Sequence, residues 1–122
     1  MELYAKIHFW YGIPGRISRV DRIAVDERGV YYYLYNKAIA ARDREFRRLT
    51  VTDAGYRTQL TQRRLNAVLS FINFYVFRHR GEWYLYDAYR RATYAWKGVH
   101  AIEIRTRRVD PPSLLLSPGE VW

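Results

Sequence analysis

The chain has no cysteine, and its single methionine is Met1. Structural disulfides, thiolate zinc sites and thiol nucleophiles are thereby excluded. Lysine is scarce: Lys6, Lys37 and Lys97 are the only three, so arginine supplies the other 18 of 21 cations. Acidic residues number 12, which leaves a formal charge of +9 and a pI near 10.0. No apolar run approaches the ~20 residues that span a bilayer. Met1-Glu2-Leu3-Tyr4 carries neither the basic nor the apolar region of a secretion signal. These absences predict a soluble protein with no membrane partner, kept inside a cell or packed into something made there. Few thermolabile residues and short connections suggest a hyperthermophile host, although the Lys/Glu enrichment of such proteins is missing.

What is present is arginine, tyrosine and enough apolar residue for a core. At 122 residues, 49% hydrophobic and 27% charged, the chain has the composition of one globular domain. A chain of this length buries roughly two-thirds of its unfolded surface, so it needs no metal or disulfide to fold. Aromatic residues make up 17%, with 12 tyrosines. Arginine pairs bidentately with phosphate and stacks on rings and bases. Tyrosine beside it suits base contacts, and equally suits protein interfaces. Codon usage in a G+C-rich genome would also favour arginine over lysine, but would not by itself force an excess of positive charge.

Periodicity divides the chain into short elements. Leu3, Ala5, Ile7, Phe9 and Tyr11 alternate with polar or aromatic neighbours, which predicts a strand ended by Gly12-Ile13-Pro14-Gly15. Residues 17–25 fit helix or strand; Asp26-Glu27-Arg28-Gly29 as a hairpin turn into Val30–Tyr35 favours strand. Along that next strand Tyr31, Tyr33 and Tyr35 share one face, with Tyr32 and Leu34 on the other. Shorter strands follow at Lys37–Arg42 and Arg47–Thr52. Leu65, Val68, Leu69 and Ile72 form a helical stripe, predicting a main helix over about 61–72 with Thr61 or Thr58 as N-cap. Gln62, Arg63, Asn66 and Ser70 fall toward its other face. Phe74–His79 and Glu82–Asp87 form a hairpin about Arg80-Gly81. Arg91–Trp96 and Val99–Arg107 supply two more strands, with Ile102 and Ile104 inward and Glu103, Arg105 and Arg107 outward. The expected fold is α+β, an antiparallel sheet with one main helix on one face. It spans 1–110, and the Pro-flanked segment 111–122 is a C-terminal arm without a regular element of its own.

Tyr35-Asn36-Lys37-Ala38-Ile39-Ala40, then Thr61-Gln62-Arg63-Arg64-Leu65-Asn66 and Trp83-Tyr84-Leu85, form a recurring set. In it the chain resembles small uncharacterised proteins of phages and archaeal viruses. Their strand ends Tyr-Asn-Thr-Pro-Ile-Ala and their helix opens Thr-Thr-x-Lys/Arg-His-Ile-Asn. This sequence departs from the pattern at Lys37-Ala38, Leu60 and Arg64. The resemblance implies a viral or mobile-element origin, and hence the host cytoplasm or a virion, and implies no activity.

For function, the side chains point first to nucleic acid. The basic set is Arg42, Arg44, Arg47, Arg48, Arg57, Arg63, Arg64, Arg78, Arg80, Arg90, Arg91, Arg105, Arg107 and Arg108, interleaved with tyrosines. Each phosphate neutralised by such a cation releases counterions, and an exposed ring beside it can stack a base. Arg47, Arg48, Arg63, Arg64, Arg78 and Arg80 are the expected phosphate contacts, with Tyr84 and Tyr86 for bases. At the helix start, Arg63 and Arg64 oppose the macrodipole, which calls for an anion, external or an internal carboxylate. The alternative is a self-assembling virion or filament protein, a homo-oligomer built through the aromatic strand and the arm. A minor alternative is a metal-dependent nuclease using Asp87 and Glu103-Ile104-Arg105. Arginine there cannot serve as the base a lysine would be. His8, His79 and His100 are isolated, so neither catalytic residue nor cofactor nor metal ligand is expected.

Overall fold

The structure is a computed structural model and describes residues 1–111 and 114–116. Two helices, α1 (Glu2–Trp10) and α2 (Gln59–Leu69), accompany two antiparallel sheets. The larger sheet comprises β1 (Gly15–Arg16), β2 (Asp21–Val25), β3 (Gly29–Leu34), β4 (Lys37–Asp43), β5 (Arg48–Thr52), β9 (Val99–Glu103) and β10 (Val109–Asp110), in that spatial order. The smaller is a meander of β6 (Phe74–His79), β7 (Glu82–Asp87) and β8 (Ala92–Ala95). The segment Leu114–Leu116, β11, pairs antiparallel with β8, so part of the expected arm does form a regular element. Residues 112, 113 and 117–122, Trp122 included, lie outside the described residues.

The expectation of α+β holds, and α2 packs on the sheets as foreseen. Thr58 is the N-cap of α2, its hydroxyl accepting from the Thr61 N–H at 3.1 Å. Leu65, Val68 and Leu69 are fully buried, and a 3-10 turn, Ser70–Ile72, carries Ile72 into the core. Asn66, expected on the face away from the apolar stripe, faces β6. It clamps the Val76 backbone, accepting from its N–H at 2.6 Å and donating to its carbonyl at 2.9 Å, with Gln62 adding a second donor. These bonds occupy the edge of β6 where another strand would otherwise pair.

The N-terminal strand is the main correction. Residues 2–10 are helical, because the buried side chains are Ala5, Phe9 and Trp10, at helical spacing, while Leu3 and Tyr11 are exposed. Alternation and a narrow helical stripe coincide over so short a segment, and tertiary contacts decide between them. Trp10 Nε1 donates to the Val68 carbonyl at 2.8 Å, tying α1 to α2. Arg42 reaches from β4 to the end of α1, where its guanidinium donates to the carbonyls of Trp10 (2.9 Å) and Phe9 (3.4 Å). A cation on the orphan carbonyls of a helix C-terminus satisfies them and complements the dipole. Arg42 is therefore interior, not the surface cation expected. Burial lowers its pKa, with neighbouring Asp43 acting in the opposite direction.

β2 to β5 form a continuous meander. Asp26 turns the first hairpin, its carboxylate accepting from the N–H groups of Arg28 and Gly29. Gly29 is obligatory there, since a Cβ would lie 2.0 Å from the Arg42 carbonyl oxygen. Tyr35 and Asn36 make the next turn with φ of 51° and 63°, the double left-handed pair of a tight hairpin. Tyr35 thus leaves the strand, whereas Tyr31 and Tyr33 stay on one face and Tyr32 and Leu34 enter the core. Because β3 is hydrogen-bonded on both sides, it has no free edge through which to pair with a second copy.

Three buried carboxylates lock the interior. Asp21 takes hydrogen bonds from Ser18, Tyr32 and Arg64, the last at 2.8 Å; Arg64 also reaches Glu2 at 3.6 Å. Burial raises the Asp21 pKa, but those three donors and the Arg64 charge outweigh it and hold the carboxyl below its ordinary range. Asp53 accepts from Trp96 Nε1 (2.7 Å), Gly55 N–H and Arg57. Asp87 accepts from Arg107 Nη2 at 2.8 Å and from the Tyr89 and Arg90 N–H groups. Arg107, expected outward, is turned inward by this pair and by the Ile72 carbonyl.

Candidate nucleic-acid interface

Side chains of directly paired residues share a sheet face. In the large sheet, one such row runs Ala24, Tyr31, Ala41, Thr50, Ala101, Asp110 across six strands. The core occupies the other face, where Ile23, Tyr32, Leu49, Val51 and Ile102 are buried. All six row residues are half-buried, and among the described residues no helix covers them. Four of the six are Ala or Thr, so the surface around Tyr31 is low. On one side stands Tyr33 with its cross-strand neighbour Arg22, whose guanidinium lies 4.3 Å above the ring. That distance marks a cation–π contact, and among the described residues the arginine fork has no hydrogen-bond partner.

On the other side the face becomes basic. Arg28, from the β2–β3 turn, and Arg48, opening β5, flank Tyr31 and Thr50 in one shallow groove. Arg48 also borders the adjoining cleft, with Arg47 and Arg105. Glu103, paired with Arg48, links that cleft to a third groove bearing Arg90 and Arg108. Asp43 lies within this band but turns to the backbone, accepting from the N–H groups of Arg47 (2.8 Å), Arg48 (2.7 Å) and Glu45. Burial raises the Asp43 pKa, and these N–H donors outweigh it to leave the carboxyl below its ordinary range. The carboxylate thus fixes the loop and leaves both guanidiniums outward. Among the described residues Arg28, Arg47, Arg48 and Arg105 form no ion pair.

The residues expected from the sequence divide among several places. Arg47 and Arg48 lie in this band. Arg63 is exposed on α2. Arg64 is corrected: it is 8% exposed and held by the internal carboxylate of Asp21, and because α2 begins at Gln59 neither Arg63 nor Arg64 lies in its first turn. Arg78 and Arg80 are exposed on the β6–β7 hairpin, and Tyr84 and Tyr86 are half-buried on β7, all in the smaller sheet. Tyr84 stacks on Phe77 with centroids 5.3 Å apart. The nuclease arrangement does not assemble, because the Asp87 oxygens are taken by Arg107 and two backbone N–H groups. Tyr31, Tyr33, Arg22 and Arg28, which this face brings together, are not among the contacts expected from the sequence. Their signal was present in the period-two spacing of the tyrosines and in a β2 register that sets Arg22 opposite Tyr33.

An α+β protein with an open, aromatic sheet face bordered by arginines that form no ion pair among the described residues is the class this geometry defines. The chain belongs to the Kyanoviridae Gp96 protein family, a family of phage proteins, which it matches over residues 19–100, from just before β2 into β9. No curated protein and no solved structure matches it. Among the described residues, no helix is long and apolar enough to cross a membrane.

Proposed function

We propose that this protein binds nucleic acid without catalysing a reaction on it, in keeping with a viral or mobile-element role. Arginines contact phosphates and tyrosines contact bases. The observation that carries the reading is the pairing of Tyr31 and Tyr33 on an uncovered sheet face with Arg22, Arg28 and Arg48 around them. The three main buried carboxylates each bind an arginine, so the internal pairs are neutral and the excess positive charge falls mainly on the surface. Non-specific affinity arises from such an excess, and stacking adds sequence-tolerant energy.

Fluorescence anisotropy with single-stranded and duplex oligonucleotides, across a salt series, tests this. Binding at low salt that falls steeply as salt rises is expected. Arg28→Ala with Arg48→Ala should weaken it and flatten the log–log salt slope by about 1.4 for a single strand, at ~0.7 per lost phosphate contact. Absence of binding at low salt refutes the reading, as does an unchanged slope in the double variant.

A further inference from the structure

A cavity of about 340 Å³ opens where β3 turns into β4 and β5 ends. Its floor is apolar, made by Leu34, Ile39 and Ala54. Its walls are Tyr35 and Tyr56, 62% and 53% exposed, with Lys37 Nζ 5.1 Å above the Tyr56 ring. Among the described residues Lys37 forms no ion pair. At the polar end the Thr58 and Thr61 hydroxyls lie 3.0 Å apart, which leaves a donor free between them. Asp53 also lines the cavity, but its oxygens are committed to Trp96, Arg57 and Gly55. The cavity therefore offers a cation and hydroxyls without a carboxylate free to receive an amine. It is not a product of the sheet face: its tyrosines come from turns, and Tyr35 is held outward by its left-handed φ of 51°.

We propose that this cavity receives one unstacked nucleobase, with the attached phosphate at Lys37 and the threonine hydroxyls. Two tyrosine walls over an apolar floor suit a flat heterocycle, because ring faces are the part of any base that stacks. The volume lies at the lower end of small-ligand sites, enough for one nucleotide unit and not for two. A base within a duplex is already stacked and paired, and drawing it out costs a few kcal/mol. The cavity thus makes the ligand class single-stranded nucleic acid. This deepens the nucleic-acid reading and rests on it for the polymer, while the cavity itself can be probed with a mononucleotide. The stretches Tyr35–Ala40 and Thr61–Asn66, about twenty residues apart in the chain, meet here through Tyr35, Lys37, Ile39 and Thr61.

The test pairs two probes. Saturation-transfer NMR with adenosine 5′-monophosphate, adenosine and inorganic phosphate reads the cavity, and anisotropy with a single strand and its duplex reads the polymer. Variants are Tyr56→Ala, Lys37→Gln and Tyr35→Asn, the last because asparagine tolerates the left-handed turn. Melting curves establish that each is folded. The mononucleotide should bind weakly, better than adenosine or phosphate alone, and Tyr56→Ala should weaken it by about tenfold. The single strand should bind more tightly than the duplex, and the same variants should reduce that preference. No transfer to the mononucleotide, or equal transfer in wild type and folded Tyr56→Ala, overturns the proposal. The two readings fail separately. Loss of the mononucleotide in Tyr56→Ala reports on the cavity, whereas loss of oligonucleotide in the Arg28/Arg48 double variant reports on the sheet face.

Discussion

Replacing Arg64 by alanine is the perturbation whose outcome the structure constrains most tightly. The guanidinium donates to Asp21 at 2.8 Å, and Asp21 is fully buried. Removing the cation leaves a carboxylate away from water with only the Ser18 and Tyr32 hydroxyls for partners. Breaking a buried pair from one side costs about 3–5 kcal/mol, because the desolvation of the remaining charge is no longer offset. For 122 residues the unfolding entropy is about 0.26 kcal/mol per degree, so the melting temperature should fall by roughly 12–20 °C at neutral pH. Arg63→Ala, one residue away and exposed, should leave stability within about 0.5 kcal/mol. The pH dependence gives a second, independent reading. In the wild type the Asp21 carboxyl is held below 3.8, so its contribution is present above that value and is lost as pH falls below it. Burial raises the Asp21 pKa while the Ser18, Tyr32 and Arg64 contacts lower it, so without Arg64 the carboxyl of the folded variant takes up a proton at a higher pH than in the wild type. The deficit of Arg64→Ala relative to wild type should therefore shrink as pH is lowered from 7 toward 4. Thermal melts by circular dichroism across that range measure both. A loss under 1 kcal/mol at pH 7, or a deficit that does not shrink in acid, would refute the ion-pair account.

Two further outcomes follow from the interior. Asn66→Ala should cost about 1–3 kcal/mol by orphaning the Val76 N–H, the carbonyl keeping its bond from Gln62, and should promote self-association through the less protected β6 edge; denaturant melts and light scattering read these, and unchanged values for both would remove the clamp. Burial pushes the His100 imidazole down to about 4, with the Lys97 charge acting in the same direction and the Ala95 carbonyl against both, and its Nε2 accepts from the Lys97 N–H at 2.9 Å. The unfolded chain takes up that proton near 6.5 and the folded one only near 4, so stability is full above 6.5 and declines by about 3 kcal/mol as pH falls to 4. An NMR titration showing His100 protonated in the folded state near 6.5 would contradict this.

The amino-acid pattern alone determined most of the local structure. Thr58 as a cap, the Leu65–Val68–Leu69–Ile72 stripe, the Asp26–Gly29 turn and the Arg80-Gly81 hairpin are written in short-range chemistry, because caps, turns and periodicity act within a few residues. The split of the β3 tyrosines into a core-facing Tyr32 and outward Tyr31 and Tyr33 follows from the two-residue period of a strand. Charge composition likewise needed no coordinates. Long-range contacts decided the rest. α1 is a helix because Arg42, 32 residues beyond Trp10, reaches its terminal carbonyls and because Trp10 bonds to Val68. Arg64 is interior and Arg107 is turned inward because Asp21 and Asp87 arrive from distant strands, and adjacent residues such as Arg63 and Arg64 cannot be told apart by a charge count. The band of Arg28, Arg48 and Arg105 and the cavity between Tyr35 and Tyr56 depend on which strands lie side by side. Pairing order is a tertiary property, since the hydrogen bonds that set it join backbone groups that every residue type carries.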